Sequence, residues 1–177
     1  MRGLASTSRE AVGVDPVASP FTTGVSPIVD HGFVARWMCG NDAVLHTATR
    51  QRPHVTTQTK QAFFDTNITG AADLLEEAAA AQVGAFVLTS TASSFGEAMT
   101  PAAGAPVVWV TEALMPIPKN IYGTTKLAAE DLCPLFQRRL GMSRIPCCAP
   151  RVSFWSGTMK RQRTIDMGRP MCRSTSC

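Results

Sequence analysis

Three polar side chains stand in an order that can move a proton and hold a reacting oxygen: Thr91, Tyr122 and Lys126. Tyr122 and Lys126 are four residues apart, which puts them one turn apart on the same face of a helix. An ammonium beside a phenol favours the phenolate and lowers its pKa from about 10. A tyrosine so placed can exchange a proton with a hydroxyl or carbonyl near neutral pH. A threonine hydroxyl can hydrogen-bond the same oxygen. The chemistry requires all three at one edge of the fold. In a parallel α/β sheet that edge is the carboxyl end of the strands, where ligands bind.

The elements needed to position them can be read from the pattern. Residues 11–15 are a short apolar run ending in an acid and read as a buried strand. Pro16, Pro20 and Pro27 mark irregular chain. Residues 30–38 have apolar side chains at Phe33, Val34, Trp37 and Met38, a helical spacing with Asp30 as N-cap. Gly40, Asn41 and Asp42 form a stop, and residues 43–48 read as a second buried strand. One long helix is predicted over 60–82, with Phe63, Phe64, Asn67, Ile68, Ala71, Leu74, Leu75 and Ala78 at i, i+3/i+4 spacing. Residues 85–90 are a third strand, so Thr91 falls at its carboxyl end. Residues 92–120 read as a long loop with four prolines, and a loop of that length is usually functional. A last helix runs from Tyr122 to about Leu140, with Gly141 suited to ending it. Strands alternating with helices and apolar on both faces indicate an α/β fold with a parallel sheet.

With these elements in order, the sequence resembles the extended short-chain dehydrogenase/reductases, the NAD-dependent epimerase/dehydratase enzymes. The resemblance rests on the Ser/Thr-rich segment at residues 89–96, which closes on Phe95-Gly96, and on Tyr122-Gly-Thr-Thr-Lys126 about 30 residues on. Residues 42–48 resemble the family's fourth strand, which lies along the cofactor. Asn67-Ile-Thr-Gly70 resembles its Asn-x-x-Gly helix signature. Residues 12–15 resemble its second strand, whose terminal acid holds the adenosine ribose. Tyr-x-x-x-Lys alone is a common spacing; five ordered segments over residues 10–145 carry the likeness.

The resemblance implies a Rossmann-like, doubly wound parallel sheet. It implies that Tyr122 is the acid/base, that Lys126 holds the nicotinamide ribose and tunes Tyr122, and that Thr91 binds the reacting oxygen. Asp15 would accept from ribose hydroxyls, and an acid there suits NAD better than NADP. His46 and Asn67 would line the cofactor side; read alone, His46 is a structural residue at a strand end and Asn67 a backbone-bonding amide. The implied substrate is a small molecule of the nucleotide-sugar kind. Dehydratases of the family follow the threonine with Asp-Glu. Here those positions are Ala92 and Ser93, which favours epimerisation or simple redox chemistry over sugar dehydration. Family dimers often pair through the Tyr-Lys helix, although Pro134 lies inside it here.

Two segments depart from that pattern. The family opens with a strand and a Gly-x-x-Gly-x-x-Gly turn that meets the cofactor pyrophosphate. No such run occurs here, so the first strand and its turn are expected to be missing and NAD binding is in question. A non-catalytic remnant is the alternative reading. Residues 145–150 should be the next strand but contain two prolines. Read from the third base of the Ile145 codon, permitted codons give Pro-Val-Leu-Arg-Thr-Pro-Arg-Phe-Phe-Leu, a family-like strand. The expected division is therefore a truncated Rossmann-like domain over 1–145 and an irregular tail over 146–177, disordered and out of frame.

Charge falls along the same boundary. The 177 residues carry a net +4, but residues 1–150 hold 11 Lys and Arg against 12 Asp and Glu, a net −1. Residues 151–177 hold six against one, a net +5. The basicity belongs to the tail. A nucleic-acid module built on it would have only Phe154 and Trp155 for base stacking. No run of 18 apolar residues is present, and residues 1–10 lack the apolar stretch of a secretory signal. The six cysteines show no Cys-x-x-Cys spacing, so thiols in a reducing compartment are expected, with no metal site and a cytoplasmic location.

Overall fold

The computed structural model describes residues 10–111 and 113–140, and the backbone of the strand Cys147–Cys148. Strands β1 (Val14–Asp15) and β2 (Gly24–Val25) pair in parallel as one small sheet. Strands β3 (Ala43–His46), β4 (Ala85–Thr89) and β5 (Cys147–Cys148) form a second parallel sheet in that order. Helix α1 (His31–Met38) lies between β2 and β3, α2 (Lys60–Phe63) and α3 (Gly70–Ala80) between β3 and β4, and α4 (Ile121–Leu140) between β4 and β5.

The alternation of strand side chains explains the core. Val44 pairs with Phe86 and His46 with Leu88, so these four share one face of the β3–β4 ladder. Phe86 and Leu88 are buried there with Val34 and Met38 of α1, Leu74, Leu75 and Ala78 of α3, and Ala129 and Cys133 of α4. The other face carries Ala43, Leu45, Ala85 and Val87. Leu45 on it is 58% exposed. Among the described residues, the helices therefore cover one face of this sheet. The expectation that residues 43–48 are a buried strand holds for His46, holds in part for the half-buried Val44, and fails for Ala43 and Leu45, which are exposed.

Three further expectations are corrected. The strand at 11–15 is short and shallow: Val14 is half-buried, and Val12 and Asp15 are exposed. The helix over 60–82 is not uniform. Between α2 and α3, Phe64–Thr69 winds as a π-helix, which turns Asn67 inward. The loop 92–120 holds two 3₁₀ turns, Ala92–Ser94 and Glu97–Met99, and Gly96 forms a parallel bridge with Ile117. Asp30 caps α1 as expected, accepting from the Phe33 N–H at 3.0 Å. Helix α4 runs through Pro134. The strand expected at 145–150 pairs through Cys147 and Cys148 with Leu88 and Thr89. The tail from 149 on lies outside the described residues, as does Gly141. No described helix is long and apolar enough to cross a membrane.

Candidate active site

β4 ends at Thr89, and the chain turns at once. Thr91 is extended and caps the 3₁₀ turn Ala92–Ser94, its hydroxyl accepting from the Ser93 N–H at 3.2 Å. Against this turn comes the first turn of α4. The approach depends on Gly123: a Cβ there would collide with the Ser93 carbonyl oxygen. Asn120 prepares the turn by accepting from the Gly123 N–H at 3.0 Å. Gly96, at φ +46°, is the second close approach; its Cβ would run into the backbone of Ile117 and Lys119.

Tyr122 is buried one turn before Lys126, which is 2% exposed. The Lys126 ammonium donates to the Thr89 carbonyl at 2.5 Å. That bond pins the helix to the carboxyl end of β4 and brings Tyr122, Lys126 and the Thr91 turn together. His46 ends the adjacent strand β3. It is buried against the ring of Phe86, with centroids 6.1 Å apart. Burial, and then the positive charge of Lys126, lower its pKa to about 4, so the imidazole is neutral at physiological pH.

Asn67 joins the group from below. It is 2% exposed. Its Oδ1 accepts from the Arg50 N–H at 2.7 Å and the Thr49 hydroxyl at 3.0 Å. Its Nδ2 donates to the Arg50 carbonyl at 3.1 Å and to the Thr125 hydroxyl oxygen at 2.9 Å. All four hydrogen-bonding positions of the amide are thus taken by protein. Asn67 fixes the chain after β3 against α4, between Tyr122 and Lys126. Asp15 stands apart from these residues, on the other sheet. It is exposed, and one carboxylate oxygen accepts from the Val17 N–H at 2.8 Å, closing the turn at Pro16.

One buried residue escaped the sequence reading. Glu130 lies one turn beyond Lys126 on the same stripe of α4. Its Oε1 accepts from the hydroxyls of Ser90 and Ser94, the latter at 3.2 Å. It grips the segment on both sides of Thr91. The signal was available as Tyr122, Lys126 and Glu130 at successive steps of four.

The model of the NAD dependent epimerase/dehydratase family matches residues 19–166. The chain belongs to this family. The match starts beyond Asp15 and continues beyond residue 145. No curated protein matches the chain significantly. Among solved structures of the epimerase/dehydratase type, the dTDP-glucose 4,6-dehydratase DesIV of Streptomyces venezuelae, with NAD and TYD bound, is 26% identical with a TM-score of 0.60. It matches over 73% of this chain and 38% of its own. MoeE5, in complex with UDP-glucose and NAD, is 25% identical with a TM-score of 0.68, over 82% of this chain and 47% of its own. A short-chain dehydrogenase/reductase superfamily protein of Agrobacterium tumefaciens with bound NAD is 27% identical with a TM-score of 0.67, over 81% of this chain and 43% of its own. The chain thus spans less than half the length of each of these family structures. The Rossmann-like α/β fold is common to all.

Proposed function

We propose that this chain carries the proton-transfer half of an NAD-dependent epimerase or oxidoreductase site for a nucleotide-sugar-like hydroxyl or carbonyl compound. The observation that supports it best is the Lys126–Thr89 bond, which sets Tyr122 and the Thr91 turn around one strand end. The Tyr122 hydroxyl takes or gives the substrate proton. The Thr91 hydroxyl orients the reacting oxygen. Lys126 supplies positive charge one helical turn from Tyr122 and would hold the nicotinamide ribose. Neutral His46 and the chain held by Asn67 line the cofactor side, and Asp15 has a second carboxylate oxygen for ribose hydroxyls. NAD, when bound, exchanges a hydride with the sugar carbon.

The residues around the nicotinamide ribose fit that cofactor. The pyrophosphate side does not fit as well, because the sequence holds no Gly-x-x-Gly-x-x-Gly turn. That observation favours a second reading, a non-catalytic member of the family without cofactor binding. Titrating the purified chain with NAD, followed by tryptophan fluorescence, separates the two. Saturation below about 1 mM that Asp15→Ala abolishes supports the first reading. A flat titration to several millimolar, roughly −3 to −4 kcal/mol of affinity at best, supports the second.

A homodimer through α4 belongs to the same proposal. A groove between α3 and α4, lined by Ala79, Ala80, Leu135 and Phe136 with Glu76 and Arg139 beside them, supports it. Sedimentation of the chain and of Leu135→Arg tests it; a dimer that the arginine leaves intact does not use this face.

A further inference from the structure

Helix α4 carries an acid whose bonds reach the candidate site from behind. Glu130 and Ser94 are both buried. The Glu130 Oε1 accepts from the hydroxyls of Ser90 and Ser94, so two serine protons converge on one carboxyl oxygen. A serine hydroxyl has a single proton to give, and both are spent there. Burying a carboxyl is costly unless its hydrogen bonds are made. Among the described residues, the side-chain bonds of Glu130 are made by this one segment.

The segment they bracket holds Thr91. Its hydroxyl oxygen accepts from the Ser93 N–H at 3.2 Å, and among the described residues no protein acceptor takes its proton. Residues 90–94 contain four hydroxyls: Ser90, Thr91, Ser93 and Ser94. Two have given their protons to Glu130. Thr91 is the one whose oxygen is tied and whose proton is free. Lys126 and Glu130, four apart on one face of α4, hold consecutive residues of the chain, Thr89 and Ser90. Ser94 is held as well, so Thr91 stands between fixed points.

We propose that Glu130 is a positioning residue for the proton-transfer site. It takes the protons of the two serines that flank Thr91, which keeps them from competing for the reacting oxygen. It also fixes the turn so that the Thr91 hydroxyl donates in one direction. This rests on the reading of Thr91 as the group that orients the substrate oxygen.

The test compares the full chain with Glu130→Gln, which keeps an acceptor oxygen, and Glu130→Leu, which keeps the bulk and removes it. A Ser90→Ala/Ser94→Ala double variant breaks the same two bonds from the other side, should the leucine variant not fold. Three-bond NMR couplings from the Thr91 methyl to its own nitrogen and carbonyl carbon read its rotamer in the cofactor-free chain. One rotamer is expected in the parent and in Glu130→Gln, and averaging over several in Glu130→Leu and the double variant. The Thr125 couplings should not change, which shows that α4 is intact. Turnover of UDP-glucose with NAD supplies the second readout. Glu130→Leu should lower kcat about tenfold with KM within about threefold, and Glu130→Gln should restore it. A Thr91 rotamer that is single in every variant, or averaged in the parent, overturns the proposal. So does a glutamine variant as averaged as the leucine, or a loss confined to KM. A parent chain that turns over nothing overturns the reading of the site as active, while the Thr91 couplings still decide whether Glu130 positions the threonine.

Discussion

The Lys126 ammonium and the Thr89 carbonyl, 37 residues apart, meet at 2.5 Å and join helix α4 to the end of strand β4. Four other residues of the candidate site are arranged around that bond. Tyr122 lies one turn before it, Glu130 one turn after, Thr91 two residues along the strand, and His46 at the end of the neighbouring strand.

Replacing Lys126 with methionine keeps most of the length of the side chain and removes the donor. The Thr89 carbonyl is left without it, and losing a part-buried hydrogen bond from a charged donor costs about 1–3 kcal/mol. Chemical denaturation should show a loss of that size. The same change removes the charge that helps hold the His46 proton off. NMR titration should find the His46 pKa above its present value of about 4 but still below 6.5, because burial, the larger cause, remains. An unmoved His46 would mean that Lys126 does not act on it.

His46 makes stability depend on pH in a stated direction. Its pKa is about 6.5 unfolded and about 4 folded. Between these values the unfolded chain binds a proton that the folded chain refuses, so stability is present above pH 6.5 and falls as pH drops toward 4. At about 1.4 kcal/mol per pH unit, the loss over that window is roughly 3 kcal/mol. His46→Gln should flatten this part of the curve, read as urea midpoints from pH 7 to pH 4. A variant with the same acid slope as the parent would assign that slope to other groups.

The residues of the candidate site were legible in the sequence because they fall in order on recognisable elements: Tyr122 and Lys126 one turn apart on a helix, Thr91 at the end of an apolar run. Helix α1 was legible for the same kind of reason, since Asp30 and the period of Val34 and Met38 are local signals. The π-helix at Phe64–Thr69 was not. Its apolar residues fit an α-helical period, and the widening is set by contacts that Asn67 makes with Arg50 and Thr125, 17 and 58 residues away. Leu45 was misjudged because a strand's apolar run says nothing about which face has a partner. The helix expected from Tyr122 to about Leu140 has Pro134 in its interior, and α4 continues through it. The proline lacks the N–H that the Glu130 carbonyl would otherwise accept, yet the Glu130 side chain holds the helix to Ser90 and Ser94.

Asn67 should be intolerant of change in either direction. Asn67→Ala removes four hydrogen bonds and strands the buried partners, at about 3 kcal/mol. Asn67→Asp keeps the shape but turns an acceptor toward the Arg50 carbonyl, where Nδ2 now donates. The aspartate should therefore be at least as destabilised as the alanine. Thermal or urea unfolding of the two variants checks the order, and an aspartate near the parent would show that the Arg50 carbonyl contact carries no weight.

Gly123 offers a contest between two effects of opposite sign. In a helix, glycine costs roughly 0.5–1 kcal/mol relative to alanine, so propensity alone makes Gly123→Ala stabilising. The structure puts the new Cβ against the Ser93 carbonyl, with the carbonyl carbon at 2.9 Å. That neighbour is backbone and cannot swing aside, and overpacking of this kind costs about 1–3 kcal/mol. The contact should win, and Gly123→Ala should be destabilised by about 1 kcal/mol or more. Gly32 in α1 is the control. Its added Cβ meets nothing nearer than an Asp30 oxygen at 3.9 Å. Gly32→Ala should raise stability by a few tenths to about 0.5 kcal/mol. Both variants are read by urea denaturation. If Gly123→Ala shifts the midpoint the same way as Gly32→Ala, the close approach of α4 to the Thr91 turn is absent in solution.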